Sequence, residues 1–244
     1  MRWTPPPPSA QTYQAPSPRA RRVFDRFAGA VTTYHAHQVV GLEHVPREGP
    51  VLFVFHHSFA TYDAFVCGWR IYQETGRLMV GLGDNLLFRL PGVASVARRA
   101  SLVPASPENG EALLRAGNAV GVAPGGMWEW LRPRTERRDL RWGERRGFVR
   151  LALVTRAPIV LVACPRADEL FTVYDAPITR WAYEHLRVPA PVVRGLGPTL
   201  VPRPLTLTHY LSAPIYPDPV VDLDAQLEPL FERCRAGMTE LLSR

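Results

Sequence analysis

Two short runs, Val51-Leu52-Phe53-Val54-Phe55 and Ile159-Val160-Leu161-Val162-Ala163-Cys164, contain no charged or hydrogen-bonding polar side chain apart from the terminal thiol. A strand with one face in water alternates apolar and polar residues, so strands apolar at every position are covered on both faces. Helical patterns stand between and after these runs, at residues 63–74, in a stretch ending near Arg99, and at 107–116, 147–156 and 223–242. The last carries Leu227, Leu230, Phe231, Cys234, Met238 and Leu241 on one stripe. Residues 38–42, 101–104 and 119–123 read as further strands, and residues 75–83 as a Gly-punctuated segment. The pattern predicts a single α/β domain over residues 37–244, with a mostly parallel buried sheet flanked by helices. Residues 1–18 hold six prolines and read as a disordered leader. Residues 19–36 read as a basic amphipathic helix, either docked on the core or lying on a membrane surface.

All 29 cationic residues are arginine, and the net charge is +7 with a pI near 9.8. The absence of lysine excludes a lysine nucleophile, a Schiff-base enzyme and a Walker-type phosphate loop. The excess charge is local: residues 131–150 hold eight arginines against three acids, and residues 19–26 hold four against one. Two basic patches on a near-neutral body point to an anionic ligand or surface. Nucleic acid is not the expected partner, because the arginines form none of the known recognition modules. Three cysteines without metal-like spacing suggest neither a disulfide framework nor a zinc site, and fit a reducing compartment. With no apolar run of about 18 residues, the expected location is cytoplasmic, peripheral at the inner face of the cell membrane.

Three local features can carry chemistry. His57 follows the first apolar strand, and Asp63 stands six positions on in the next helix. A carboxylate there can hold one ring nitrogen and leave the other as a base; a capping pair, a metal ligand or an incidental loop residue are the alternatives. Pro124-Gly125-Gly126 ends another strand, with Glu129 just beyond. Consecutive glycines permit close backbone approach to a ligand or simply make a tight turn. Arg145 and Arg146 precede the helix at 147–156. Ser58 is not expected to be a nucleophile, since no Gly-x-Ser-x-Gly elbow is present.

Taken in order, His57 with Asp63, Pro124-Gly125-Gly126 with Glu129, Trp142-Gly143-x-Arg145-Arg146-Gly147-Phe148 and Ala157-Pro158-Ile159-Val160 resemble the glycerolipid acyltransferase superfamily. The likeness is to its diacylglycerol acyltransferase-like and transmembrane-protein-68-like branch, whose first block is His-x5-Asp and whose third reads Pro-Gly-Gly. The resemblance implies a glycerol-3-phosphate/1-acylglycerol-3-phosphate acyltransferase-like fold. It also implies transfer of a fatty acyl group from acyl-CoA or acyl carrier protein to a lipid hydroxyl, without metal or organic cofactor. His57 would take the acceptor's proton while Asp63 orients it. Pro124, Gly125 and Gly126 would line the acceptor or oxyanion site, joined by Arg145 and Arg146. Glu129 would bind a headgroup or hold an arginine such as Arg146. Two departures stand out. The stretch 101–107 carries proline where the phosphate-acceptor branch has its second-block arginine, and Leu161 replaces the fourth block's second proline. The first favours a neutral acceptor, although Arg98 or Arg99 could substitute. A 1-acylglycerol-3-phosphate acyltransferase of phospholipid synthesis and a non-catalytic lipid-binding relative are the alternatives.

Overall fold

The protein is seen here as a computed structural model that describes residues 18–89, 91–186 and 191–244. In chain order the strands are β1 (Gln38–Val40), β2 (Val51–Phe55), β3 (Met79–Gly83), β4 (Leu102–Pro104), β5 (Ala119–Val122), β6 (Ile159–Ala163), β7 (Thr172–Tyr174), β8 (Val192–Arg194) and β9 (Thr208–Leu211). The helices are α1 (Pro18–Tyr34), α2 (Tyr62–Thr75), α3 (Pro91–Arg99), α4 (Pro107–Arg115), α5 (Gly126–Trp130), α6 (Gly147–Thr155), α7 (Pro177–Leu186) and α8 (Leu223–Leu242). Seven strands form one sheet in the order β1-β9-β6-β2-β5-β3-β4, and β7 pairs with β8 in a separate ribbon. From β6 to β4 every neighbour is parallel. The reversal comes at β9, which runs antiparallel to β6 and carries β1 parallel to itself.

The apolar runs sit at the middle of this sheet, β2 between β6 and β5. Their alternate residues divide between two cores. Leu52, Val54, Ile159 and Leu161 pack with Leu114 of α4, Phe148 and Val149 of α6 and Phe231 and Met238 of α8. Val51, Phe53, Phe55, Val160 and Val162 pack with Ala64, Cys67 and Ile71 of α2. Leu52, Phe53, Val160 and Leu161 are wholly buried, each contributing about 1.5–3 kcal/mol relative to an exposed side chain. Close approach of α8 to the sheet needs a glycine: a Cβ at Gly237 would lie 2.8 Å from Leu161 Cδ1. Local signals set the helix ends. Ser106 caps α4 by accepting from the Asn109 amide at 3.1 Å, with Pro107 in its first turn.

The expected single α/β domain with a mostly parallel buried sheet is the one observed. β3, the β7–β8 ribbon, α7 and β9 were not read as elements from the sequence. In Thr208-His209-Tyr210-Leu211 burial alternates, with His209 and Leu211 inside, but polarity does not follow it, so the run carries no strand pattern. The expected leader lies, apart from Pro18, outside the described residues. The helix expected over 19–36 is α1, which buries Ala28 and Val31 and is tied to α2 by Trp69 Nε1 donating to Asp25 at 3.2 Å. Its Val23 and Phe27 remain 65% and 61% exposed. No helix among the described residues is long and apolar enough to cross a membrane.

Candidate active site

The segments singled out above meet at the C-terminal end of the central strands. β2, β5 and β6 are parallel neighbours, so the residues that follow them emerge side by side at their C-terminal ends, where α/β sheets place their ligands. His56 and His57 follow β2, Pro124-Gly125-Gly126 follows β5, and Cys164 to Asp168 follows β6. A short turn, Phe59–Thr61, leads into α2. It ends with Thr61 at φ +54°, a left-handed conformation that costs a β-branched residue energy.

His57 has a defined tautomer. Its Nδ1 lies 3.0 Å from the Ser58 carbonyl oxygen, which can only accept, so the proton sits on Nδ1 and the lone pair on Nε2. The strained Thr61 brings its hydroxyl to 3.2 Å from the same nitrogen. Burial lowers the His57 pKa to about 4, so the ring is neutral near pH 7. Trp130 lies nearly parallel to it, ring centres 6.5 Å apart.

Asp63, in the first turn of α2, reaches His57 through Ser58. One carboxylate oxygen accepts the Ser58 hydroxyl proton in a short hydrogen bond, and the other lies 3.2 Å from His209 Nε2. His209 Nδ1 is in turn 2.9 Å from His37 Nε2. With Asp63 ionised, His209 donates from Nε2 and His37 donates to His209 Nδ1, giving a directed chain His37, His209, Asp63, Ser58. Burial pushes the Asp63 carboxyl up, but the hydrogen bonds from His209 and Ser58 outweigh it and leave the pKa below the ordinary value. The expected His57–Asp63 pair is thus assembled at one site, with Ser58 between the two side chains and no direct hydrogen bond among the described contacts. Ser58 is buried and tied to the carboxylate, which suits it to support rather than attack.

Glu129 holds an arginine, but that arginine is Arg132. The two buried side chains approach to 3.3 Å, and Arg132 also reaches Asp168 at 3.0 Å, His56 Nε2 at 2.7 Å and the His57 carbonyl at 3.1 Å. Glu129 further accepts from the backbone amides of His57 at 3.3 Å and Arg141 at 3.0 Å. Burial raises its pKa to about 7 against the opposing pull of Arg132. Glu129 is wholly buried and ties the His57 backbone to the arginine-rich segment. Pro-Gly-Gly has its reason here: a Cβ on Gly125 would run into the Glu129 side chain, and Gly126 takes φ +56°.

The arginines divide by role. Arg145 donates to the carbonyls of Pro124 and Gly125 and so braces the turn. Arg146, expected at the substrate, instead makes two hydrogen bonds to Glu228 of α8 at 2.8 and 3.1 Å and lies 4.0 Å above the Phe231 ring, locking α8 to α6. Arg141 pairs with Glu136, and Arg138 donates to the Pro165 carbonyl. Asp63, Cys164 and His209 each offer a ligand atom within 4.8 Å of the others. Burial holds the Cys164 thiol well above its ordinary pKa, and metal binding needs the thiolate, so the set is poorly suited to a cation. His37, His209, Arg132 and Asp168 were not singled out from sequence as parts of this centre, and His56 was read only as the partner of His57 in a possible capping or metal-binding pair. Only Asp168, a carboxylate just past a strand end, carried a local signal.

A small cleft lined by Phe59, Trp130, Phe171, Arg132, Asp168, Arg134 and Arg137 adjoins His57 through Trp130 and Arg132. Phe59 sits 5.1 Å from Trp130 and 5.0 Å from Phe171, ring centre to ring centre. A neutral histidine thus stands at the end of parallel strands in an α/β domain, next to an aromatic and cationic cleft. The sequence model of the acyltransferase family matches residues 36–165, more than half of the chain, and the chain belongs to that family. A human protein described as a DGAT1/2-independent enzyme synthesizing storage lipids is 28% identical over 218 residues, covering 88% of this chain and 64% of the human one. The bovine counterpart is equally similar, with 62% of it covered. The chain thus spans slightly less than two thirds of these relatives' length. The 1-acyl-sn-glycerophosphate acyltransferase PlsC of Thermotoga maritima superposes with a TM-score of 0.58 at 15% identity, over 91% of this chain and 80% of that one. That likeness is one of fold.

Proposed function

We propose that this chain transfers a fatty acyl group from a CoA or acyl-carrier-protein thioester to the hydroxyl of a glycerolipid or other lipid alcohol. His57 Nε2 takes the hydroxyl proton, the oxygen attacks the thioester carbonyl, and collapse of the tetrahedral intermediate expels the thiolate, which recovers the proton from the imidazolium. Asp63 acts through Ser58, whose carbonyl holds the tautomer, and its charge favours the imidazolium that forms. No acyl-enzyme is required. The observation that carries the reading is the Nδ1 contact with the Ser58 carbonyl, which leaves Nε2 of a neutral, half-buried ring as the base. Family membership and the relatives that make storage lipids support the acyl-transfer class. Contact with a membrane from its surface is supported by α1, whose exposed Val23 and Phe27 stand among Arg19, Arg22 and Arg26. A neutral acceptor is favoured by the proline in place of the second-block arginine. The test is purified protein, acyl-CoA and, in parallel, a diacylglycerol, a monoacylglycerol and a lysophosphatidate. Activity with neutral acceptors that disappears in His57→Ala is expected. Turnover retained in that variant overturns the mechanism, and activity confined to lysophosphatidate shifts the assignment to phospholipid synthesis.

A further inference from the structure

Most of the arginines in the 131–150 patch have an intramolecular use, and this makes the exceptions informative. Among the described residues Arg134 and Arg137 have no carboxylate partner, and Arg137 Nε is buried without any hydrogen-bond partner. Both line the cleft beside His57. Two more arginines join them from far along the chain. Arg194 of β8 stands opposite Thr172 of β7, and the Thr172 hydroxyl accepts from Arg203 at 2.8 Å. Arg203 is held in place by a second bond to the Glu169 carbonyl at 2.8 Å. Arg194, Arg137 and Arg134 all act on Arg203 with like charge, adding to the burial that lowers its pKa, against a weaker opposing pull from Tyr174. The acids close by are already taken: Asp168 by Arg132 and the Arg138 amide, Glu136 by Arg141, and Glu169 by Arg166 at 3.5 Å. Arg134 and Arg137 at the cleft and Arg194 and Arg203 by the adjoining β7–β8 ribbon thus lie close enough to repel one another, with no carboxylate bonded to any of the four among the described residues, an arrangement that an anion would relieve.

We infer that Arg134, Arg137, Arg194 and Arg203 form a binding site for a phosphate group carried by a substrate whose reacting end lies beside His57. Guanidinium forks bind phosphate oxygens in pairs. Phe59, Trp130 and Phe171 line the same cleft and offer apolar surface next to Arg134 and Arg137. The inference rests on the acyl-transfer reading for the identity of the reacting end, and on the arginine cluster alone for the phosphate. Two substrates can supply that group, a CoA donor and a phosphorylated acceptor.

Calorimetric titration of the full chain separates them. The probes are CoA, short-chain lysophosphatidate, their phosphate-free counterparts pantetheine and monoacylglycerol, and phosphatidylglycerol vesicles. The variants are Arg134→Gln/Arg194→Gln and Arg137→Gln, with Arg235→Gln/Arg244→Gln on and just past α8 as a charge-matched control. Loss of charge-assisted phosphate contacts weakens binding by about tenfold or more, with a shallower dependence on salt, while the phosphate-free ligands and the control are unaffected. A loss for CoA assigns the site to the donor, and a loss for lysophosphatidate assigns it to the acceptor. Affinities within twofold of wild type for both overturn the inference, as does a loss seen only for the anionic vesicles. Repeating the titrations in His57→Ala makes the readout independent of turnover. Phosphate-dependent binding by a protein that transfers no acyl group would leave the site standing and remove the proposed function.

Discussion

Replacing Asp63 by asparagine separates chemistry from folding, because the hydrogen-bond chain around it can reverse. In the wild type the carboxylate accepts from Ser58 and from His209 Nε2 at 3.2 Å, and His209 Nδ1 receives the His37 proton at 2.9 Å. An asparagine amide group facing His209 is a donor. His209 then shifts its proton to Nδ1, accepts at Nε2 and donates to His37, while the oxygen of the new amide keeps the Ser58 hydroxyl. Every partner is retained, but two bonds to a charge become neutral, a loss of about 1–1.5 kcal/mol each. Relief of burying a carboxylate that is 2% exposed offsets that loss, so the free energy of unfolding changes by less than about 2 kcal/mol. Turnover behaves differently. The imidazolium formed at His57 loses its nearby negative charge, and a general-base contribution is about a hundred- to ten-thousandfold. Urea unfolding followed by tryptophan fluorescence and initial rates with acyl-CoA measure the two quantities on one preparation. Turnover within threefold of wild type refutes the role given to Asp63; loss of the folded state refutes the reversible chain.

Burial lowers His56 and His57 to about 4 and His37 to about 3, against about 6.5 in the unfolded chain. The unfolded state therefore binds more protons below pH 6.5, and stability falls as pH drops from there toward 4, by up to about 1.4 kcal/mol per pH unit per histidine; thermal melts across that range are the check. Gly125→Ala forces its methyl into the Glu129 side chain and should cost about 1–3 kcal/mol, read by chemical denaturation, with a parallel fall in turnover as the His57 amide loses its acceptor. Leu161→Ala opens a void between β6 and α8 and should cost about 2–5 kcal/mol with kcat retained in the protein that remains folded. Arg146→Gln, which breaks the tie to Glu228, should lower stability by about 1 kcal/mol or less and leave KM for acyl-CoA unchanged; a raised KM would return Arg146 to the substrate.

The centre of the fold was legible because its signal is local. A strand such as Val51–Phe55 shows in its own composition that both faces are covered, and the helices around it carry their own periodicity. The same holds for His57, Asp63 and Pro124-Gly125-Gly126, which lie where strands end and are placed by the strands that precede them. β9 was not legible, since an edge-side strand of two polar and two apolar residues resembles a loop.

By itself, then, the sequence determined a doubly covered parallel sheet, the strand-end position of a candidate base, and a charge excess confined to two segments. Tertiary structure alone decided the company these residues keep. The reversal of β9 against β6 sets Tyr210 opposite Ala163, so that His209 lies at the C-terminal end of β6 and meets Asp63, 146 residues away in sequence. The same folding selected Arg132 rather than Arg146 for Glu129, and left Arg134 and Arg137 without a carboxylate beside Arg194 and Arg203. The physical reason is range. Hydrophobic periodicity acts between neighbours in the chain, whereas the energy of a charge or a buried imidazole depends on the nearest partner in space and on the water removed around it.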